Sequence, residues 1–375
     1  MLYEHLSDSS QVQCPIQRTT LAAFAALTLC AGPAGASKLV INGAGDGHGV
    51  GMSQDGALGY AEHGWPYTAI LGHYYTGTAI GQAPPNTSVR VLLNGKVKRL
   101  ALETYVRGVV AAEVSASWAM AALEAQAVAS RTYAITAHAG GSKFDVYPDD
   151  RSQVYLGKAA ETARTNAAVT ATAGQIVTYG GQPATTYFFA GSGGHTESIQ
   201  NAFPGSTPEP WLVGVADPYD TGPLHRWTVT LSFTSVASRL SGLVNGSFKG
   251  IEVLERGNSP RIVSAYVLGS KGRTLVSGPE LAARLGLYDT WAYFSVTDSH
   301  GTHKEPDLSG SSAVQPTQVS GSGGATATAA PASAPSAQPA RVSGSPQGVG
   351  RAGGSAAAPP VQPAGVNGQG GVSPG

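Results

Sequence analysis

Apolar positions between residues 102 and 113 recur at helical spacing. Leu102, Tyr105, Val106, Val109 and Val110 fall on one stripe. Glu113 continues that stripe, four residues after Val109 and seven after Val106. The pattern predicts a helix that ends by pointing a carboxyl group into apolar surroundings. The alternative is a fraying helix end with Glu113 swung out to solvent. A second helix is predicted over 117–138, with Leu123, Ala127, Ser130 and Ala134 on one side, and its many alanines imply close helix packing. Gln126 and Arg131 stand among these small residues. A buried amide or guanidinium needs partners, so both are expected to line a polar cleft or to bind backbone.

Earlier in the chain, 52–63 reads as a short helix with Ser53 as N-cap and Gly64 just past its end. Pro66 opens a further helix, with Tyr67, Ile70, Leu71 and Tyr74 on its buried side. Ahead of both, Gly43, Gly45, Gly47, Gly49 and Gly51 alternate around His48. Glycine permits positive φ and close backbone approach. No Gly-Lys-Ser/Thr follows, so this is not a phosphate-binding P-loop. The loop either cradles a ligand near His48, Ser53 and Gln54, or packs beside a sheet with His48 satisfying a backbone carbonyl. Residues 88–93 and 96–100 read as strands joined by an Asn94-Gly95 hairpin turn. Further strands are expected at 175–179, 185–190, 227–233, 249–255, 262–268 and 273–276, and helices at 166–173, 233–243 and 277–285. The fold class is α+β: helical blocks packed on antiparallel strands, as one large domain or two close subdomains.

Composition and charge narrow the setting. Lys plus Arg equals Asp plus Glu, at 23 each, so nothing argues for nucleic acid, which wants a basic surface. Residues 1–36 read as an export signal: Arg18, the apolar run 20–30, and Ala34-Gly35-Ala36 as cleavage site, leaving Ser37 first in the mature chain. The run is too short to span a bilayer. Leu29 before Cys30 is too large for a typical lipid-attachment site. Cys14 and Cys30 both fall in the signal, so the mature protein is expected to hold no disulfide and no thiolate metal site. No transmembrane segment is expected once the signal is removed. Beyond Phe294 no aromatic residue occurs, and Gly, Ser, Ala, Pro and Gln dominate. The folded part, 37–297, is therefore expected to give way to a disordered tail over 298–375. The whole suits a secreted protein of the cell wall or exterior.

Two residues invite a chemical reading. Desolvation disfavours a charged carboxylate, so Glu113 at the end of an apolar stripe should have a raised pKa and act as a general acid near neutral pH. Ser192 follows a strand-like run, but the nucleophile elbow wants glycine at position 190, where Ala190 stands. The required helix after it is broken by Pro204, Pro208 and Pro210. A substrate-cradling Ser-Gly-Gly turn is the better reading of that segment.

Four stretches together resemble one family. GVVAAEVSASWAMAALEAQAVASRTYA at 108–134 is similar to the signature of the stage II sporulation protein D family. GDGHGVGMSQDGALGYAEHGWPYTAILGHYY at 45–75, SQVYLG at 152–157 and AGSGGHTES at 190–198 resemble further segments of it. The resemblance spans about residues 39–296, and the order of its blocks is that of actinobacterial relatives. It implies a lytic transglycosylase that cleaves peptidoglycan glycan strands, with Glu113 as catalytic acid and base and no cofactor. It places His48, Ser53, Gln54, Gln126, Arg131, Tyr155 and Ser192 along a sugar-binding groove. Some members hold a structural zinc around the segment matching 145–153. Here Tyr147 and Ser152 stand in that segment, with no Cys or His, so no zinc is expected and the anchoring of the loop is open. Val114 stands where relatives often have Met and Pro, which alters the turn between helices but not the acid. The alternative that the resemblance allows is a non-catalytic peptidoglycan binder that enhances a cell-wall amidase.

Overall fold

The computed structural model describes residues 37–298, 301–304 and 307. The expected export signal, and the expected tail apart from a few residues at its root, lie outside the described residues. The described chain runs β1 (Lys38–Gly43), β2 (Met52–Ser53), α1 (Gln54–Glu62), α2 (Tyr67–Tyr74), β3 (Ala79–Gln82), β4 (Ser88–Leu93), β5 (Lys96–Ala101), α3 (Leu102–Glu113) and α4 (Met120–Thr136). It continues through α5 (Ala163–Ala171), β6 (Gln175–Tyr179), β7 (Gln182–Pro183), β8 (Phe188–Phe189), α6 (Ile199–Ala202), β9 (Trp227–Ser232) and α7 (Phe233–Arg239). It closes with β10 (Phe248–Arg256), β11 (Ile262–Gly269), β12 (Gly272–Ser277), α8 (Gly278–Leu285), β13 (Ala292–Asp298) and β14 (Gly301–Lys304). The fold is mixed, with helices packed on several small antiparallel sheets.

Two sheets, ordered β14-β13-β1-β9 and β10-β11-β12, share one core. Leu39 and Ile41 of β1, Ile251 and Val253 of β10, Ala265 and Val267 of β11 and Phe294 of β13 meet there, and Leu281 and Leu285 of α8 close it. Alternating burial along β1 and β13 is the period-two signature of strands with one covered face. The helical part is organised around α4. Ala125, Val128 and Ala129 face a core with α1 and α2, while Leu123, Ala127 and Ala134 face another with α3, α5 and β4. A helix covered on two sides has no room for bulky residues, which is why α4 is rich in alanine.

Local signals act as the sequence suggests. Ser53 Oγ accepts the Gly56 N–H at 3.0 Å and starts α1. Asn94 (φ 49°) and Gly95 (φ 74°) make the two-residue turn between β4 and β5. Ser277 caps α8, Pro279 sits in its first turn, and Gly286 ends it in the left-handed conformation. Other elements depart from expectation. The run 185–190 yields only β8, which pairs in parallel with β2. The Thr186 hydroxyl instead donates to the Ala129 carbonyl, and Ala184 N–H to the Val177 carbonyl, so this backbone is tied to α4 and β6. β1, β3, β13 and β14 carry no local turn signal that marks them. β14 extends a sheet edge past residue 297, and Asp307 bridges to Val253 of β10 and pairs with Arg256 at 2.9 Å.

Candidate active site

Glu113 is the last residue of α3. Every expected stripe residue of that helix is buried, and Val114 turns extended immediately after it (φ −130°, ψ 153°). The Glu113 side chain is thereby delivered to the wall of a cavity of about 450 Å³, within the range of about 300–1,000 Å³ common for small-molecule sites. One carboxylate oxygen, Oε1, accepts the Val154 N–H at 2.7 Å. The other, Oε2, faces Gln54 Nε2 at 3.4 Å. Burial pushes the Glu113 carboxyl up to about 7, while the Val154 N–H and the Gln54 amide pull the other way. The negative end of the α3 dipole acts in the same direction as burial. Gln54 Nε2 also reaches Gln126 Oε1 at 3.4 Å, and Gln126 Nε2 donates to Ser130 Oγ at 2.9 Å. Gln126 thus stands behind Gln54, fully buried, and orients it.

The loop over 145–157 supplies the Val154 N–H. Its anchoring, open in the sequence, is a clasp of ordinary side chains. The Tyr147 N–H donates to Ser152 Oγ at 3.1 Å. Arg151 lies over the Tyr147 ring at 3.8 Å and pairs with Asp149 at 2.7 Å. Tyr155 stacks on Tyr105 with centroids 5.2 Å apart, in a slot that only Gly108 leaves open: a Cβ there would meet the Tyr155 ring at 2.5 Å. Tyr155 therefore holds the loop to α3 rather than lining the cavity.

His48 and Gln54 do line it, with Asp46, Tyr133, Tyr187, Phe189 and Phe203 among the neighbours. His48 Nδ1 accepts the Val50 N–H at 3.1 Å, which leaves its proton on Nε2. The ring sits among Tyr187, Phe189 and Phe203 with centroids 5.2–6.0 Å away. Burial, and then the Arg261 charge, lower it to about 4, so it is a neutral member of the wall at pH 7. Of the two readings of the glycine loop, close packing accounts for the glycines themselves. At Gly49 (φ +83°) a Cβ would meet Arg261 Nε at 2.4 Å. Arg261 is buried and pairs with Asp289 at 2.7 Å, and it donates to the Ser192 carbonyl at 2.9 Å and the His195 carbonyl at 2.6 Å. It ties the glycine loop, the 191–196 turn and the sheet core together. Arg261 and Asp289 carry no motif and are visible only in three dimensions. Glu197 does lie in the 190–198 segment, and its buried carboxylate accepts the Asn258 and Ser259 N–H groups at 3.0 Å each.

The remaining expected groove residues lie elsewhere. Ser53 is fully buried and spends its hydroxyl on the α1 cap and on the Ser192 N–H at 3.2 Å. Arg131 is fully buried, paired with Glu103 at 2.8 Å and bonded to the Gln175 carbonyl at 3.0 Å and the Val169 carbonyl at 3.2 Å. Of the two roles open to it in the sequence, it takes backbone binding. Ser192 Oγ lies 2.7 Å from Asp217 and 2.8 Å from Asp220 and accepts the Gly194 N–H at 3.0 Å. One hydroxyl proton cannot serve both carboxylates at once; burial pushes Asp217 up to about 6. With no histidine on its Oγ and no exposure, Ser192 is a knot in the core and neither a nucleophile nor a groove contact.

The chain was compared with known proteins. Residues 94–179 match the family model described as stage II sporulation protein. The chain is 36% identical over 195 residues to an uncharacterized protein of Brachyspira hyodysenteriae, covering 51% of this chain and 50% of that one. It is 29% identical over 223 residues to the stage II sporulation protein D of Bacillus subtilis, covering 55% and 63%. Against the amidase enhancer of Bacillus subtilis it is 35% identical over 127 residues, 34% of this chain and 17% of that one. The matches thus span less than two thirds of each of these relatives. The family-model match contains Glu113, Gln126, Arg131, Val154 and Tyr155, and stops before Ser192 and the cavity-lining residues of α8. On these matches residues 94–179 carry a stage II sporulation protein domain, and the chain is similar to the sporulation protein D and the amidase enhancer over the regions given.

Proposed function

We propose that the protein works on the cell wall as a lytic transglycosylase that cleaves peptidoglycan glycan strands, with Glu113 as general acid and then general base. The observation that carries this reading is a carboxyl group on the wall of a cavity, with one oxygen fixed by a backbone N–H at 2.7 Å and the other held only by the longer Gln54 contact at 3.4 Å. Because Oε1 is committed to Val154, the proton resides on Oε2. Protonated Glu113 gives that proton to the glycosidic oxygen after N-acetylmuramic acid, and an oxocarbenium-like centre develops at the sugar carbon. The resulting carboxylate is met by the Val154 and Gln54 N–H groups. It then takes the proton of the sugar's own C6 hydroxyl as that oxygen closes on the carbon, leaving a 1,6-anhydro end. No water is consumed and no second protein carboxylate is required. Asp289, on the same wall, is already spent on Arg261. Asp46 also lines the cavity, so product chemistry, not a count of carboxylates, separates this route from hydrolysis.

Purified glycan strands incubated with the protein and read by mass spectrometry test the proposal. Wild type should create 1,6-anhydro ends, and Glu113→Gln should create none while still binding strands. Product release at the wild-type rate from Glu113→Gln would overturn it. The similarity to an amidase enhancer keeps a second reading in place. In that case neither protein makes new ends, both are pulled down with strands, and activity appears only with an amidase partner.

A further inference from the structure

One part of the cavity that Glu113 lines comes from a stretch of the chain that the family model does not reach. Helix α8 and the segment after it contribute Pro279, Ala282, Ala283, Leu287 and Tyr288 to the cavity. The backbone around Tyr288 is tied at every step. Leu287 N–H bonds the Ala282 carbonyl at 3.0 Å, and the Tyr288 carbonyl accepts the Gly47 N–H at 2.9 Å. Asp289 is held by Arg261 and by the Trp291 N–H at 2.8 Å, and the Thr290 carbonyl accepts the Ile262 N–H at 3.0 Å. The Tyr288 ring leans edge-on against Trp227, centroids 5.6 Å apart at 63°, yet it is 47% exposed. A rigid backbone thus presents an uncovered aromatic surface to a cavity, with little left to order on binding.

We propose that Tyr288 and the small apolar ledge of Ala282, Ala283 and Leu287 form a saccharide subsite. It stacks one pyranose ring of an N-acetylated amino-sugar strand whose scissile bond lies at Glu113, and so rests on the transglycosylase reading. A pyranose with equatorial substituents offers a patch of axial C–H groups that fits an aromatic ring. The ledge carries no polar side-chain atom, which suits an acetamido methyl group and not a charged substituent. Alanines at 282 and 283 leave the width for a ring that longer side chains would fill. The glycine loop sets the position of this wall, because Gly47 holds the Tyr288 carbonyl.

The test uses the full chain and a β-1,4-linked tetramer of N-acetylglucosamine as probe. In a Glu113→Gln background, calorimetry should show Tyr288→Ala weakening tetramer binding by about tenfold, the loss of one well-covered aromatic contact. Tyr288→Phe should restore binding to within about threefold, since the ring and not the hydroxyl makes the contact. In the Glu113-intact protein, Tyr288→Ala should raise KM for glycan strands by a similar factor and leave kcat nearly unchanged, with the same thermal midpoint. Tetramer binding by Tyr288→Ala at the parent affinity, or a loss confined to kcat, would refute the subsite while leaving the transglycosylase reading intact. A parent that neither binds the tetramer nor cleaves strands removes both.

Discussion

Replacing Glu113 by Gln should stabilise the protein, and by an amount that depends on pH. Burial raises the carboxyl to about 7 from its ordinary 4.5. At about 1.4 kcal/mol per pH unit, that gap corresponds to about 3 kcal/mol. Below pH 4.5 the group is protonated in both the folded and the unfolded chain, and it has no effect on their balance. Between 4.5 and 7 the unfolded chain ionises and the folded one does not, so wild type progressively loses stability. Above 7 the loss is complete. Gln at 113 cannot ionise and keeps an oxygen for the Val154 N–H. Asp217 and Asp289, both near 6, and His48, near 4, titrate in both proteins and cancel in the comparison. Urea unfolding of the two proteins from pH 4 to pH 8 should therefore show equal stability at the acid end and Glu113→Gln ahead by about 3 kcal/mol at the alkaline end. The catalytic rate of wild type should fall over the same upper range, as the general acid loses its proton. A stability difference that does not change with pH would mean that the carboxyl is hydrated, and the acid-base assignment would lose its physical basis.

Two further substitutions test how the site is held. Arg261→Ala leaves Asp289 buried without its partner and frees the Ser192 and His195 carbonyls, so unfolding measurements should show a loss of about 3–5 kcal/mol. Arg131→Leu should likewise lower stability by about 3–5 kcal/mol through Glu103 and the α5 and β6 carbonyls, while KM for glycan strands stays at the wild-type value in whatever fraction remains folded.

The parts of the fold that the sequence makes legible are those set by near neighbours. The α3 stripe, the Ser53 and Ser277 caps and the Asn94-Gly95 turn each depend on residues within a few positions, and each forms as expected. The stripe also marks Glu113, because a helix that holds to its last residue sends that carboxyl out on the apolar side. What stays illegible depends on distance along the chain. Lys38 pairs with Thr297, and β1 has no turn or strong alternation to announce a partner so far away. Arg131 and Ser192 sit inside motifs, and a motif marks a position as constrained without saying whether solvent reaches it. Their burial follows from α4 being covered on two sides and from Asp217 and Asp220 closing over the turn.

The family match contains the acid, yet the acid's environment is assembled from both sides of that match. Val154 fixes one carboxylate oxygen from within it. Gln54, which faces the other, starts a helix capped by Ser53, and Ser53 is bonded to Ser192. Ser192 in turn gives its carbonyl to Arg261, whose partner Asp289 follows Tyr288 in the cavity lining. The chain of bonds runs from the N-terminal glycine loop through the 191–196 turn to the sheet core. It links a stretch of alternating glycines to the buried Glu113 carboxyl. That loop packs closely on Arg261, where a Cβ at Gly49 would meet Nε at 2.4 Å. A carboxyl desolvated strongly enough to hold a proton near pH 7 is under stress in the folded state by about 3 kcal/mol, and a buried, many-bonded hub outside the motif is the kind of structure that can hold it there.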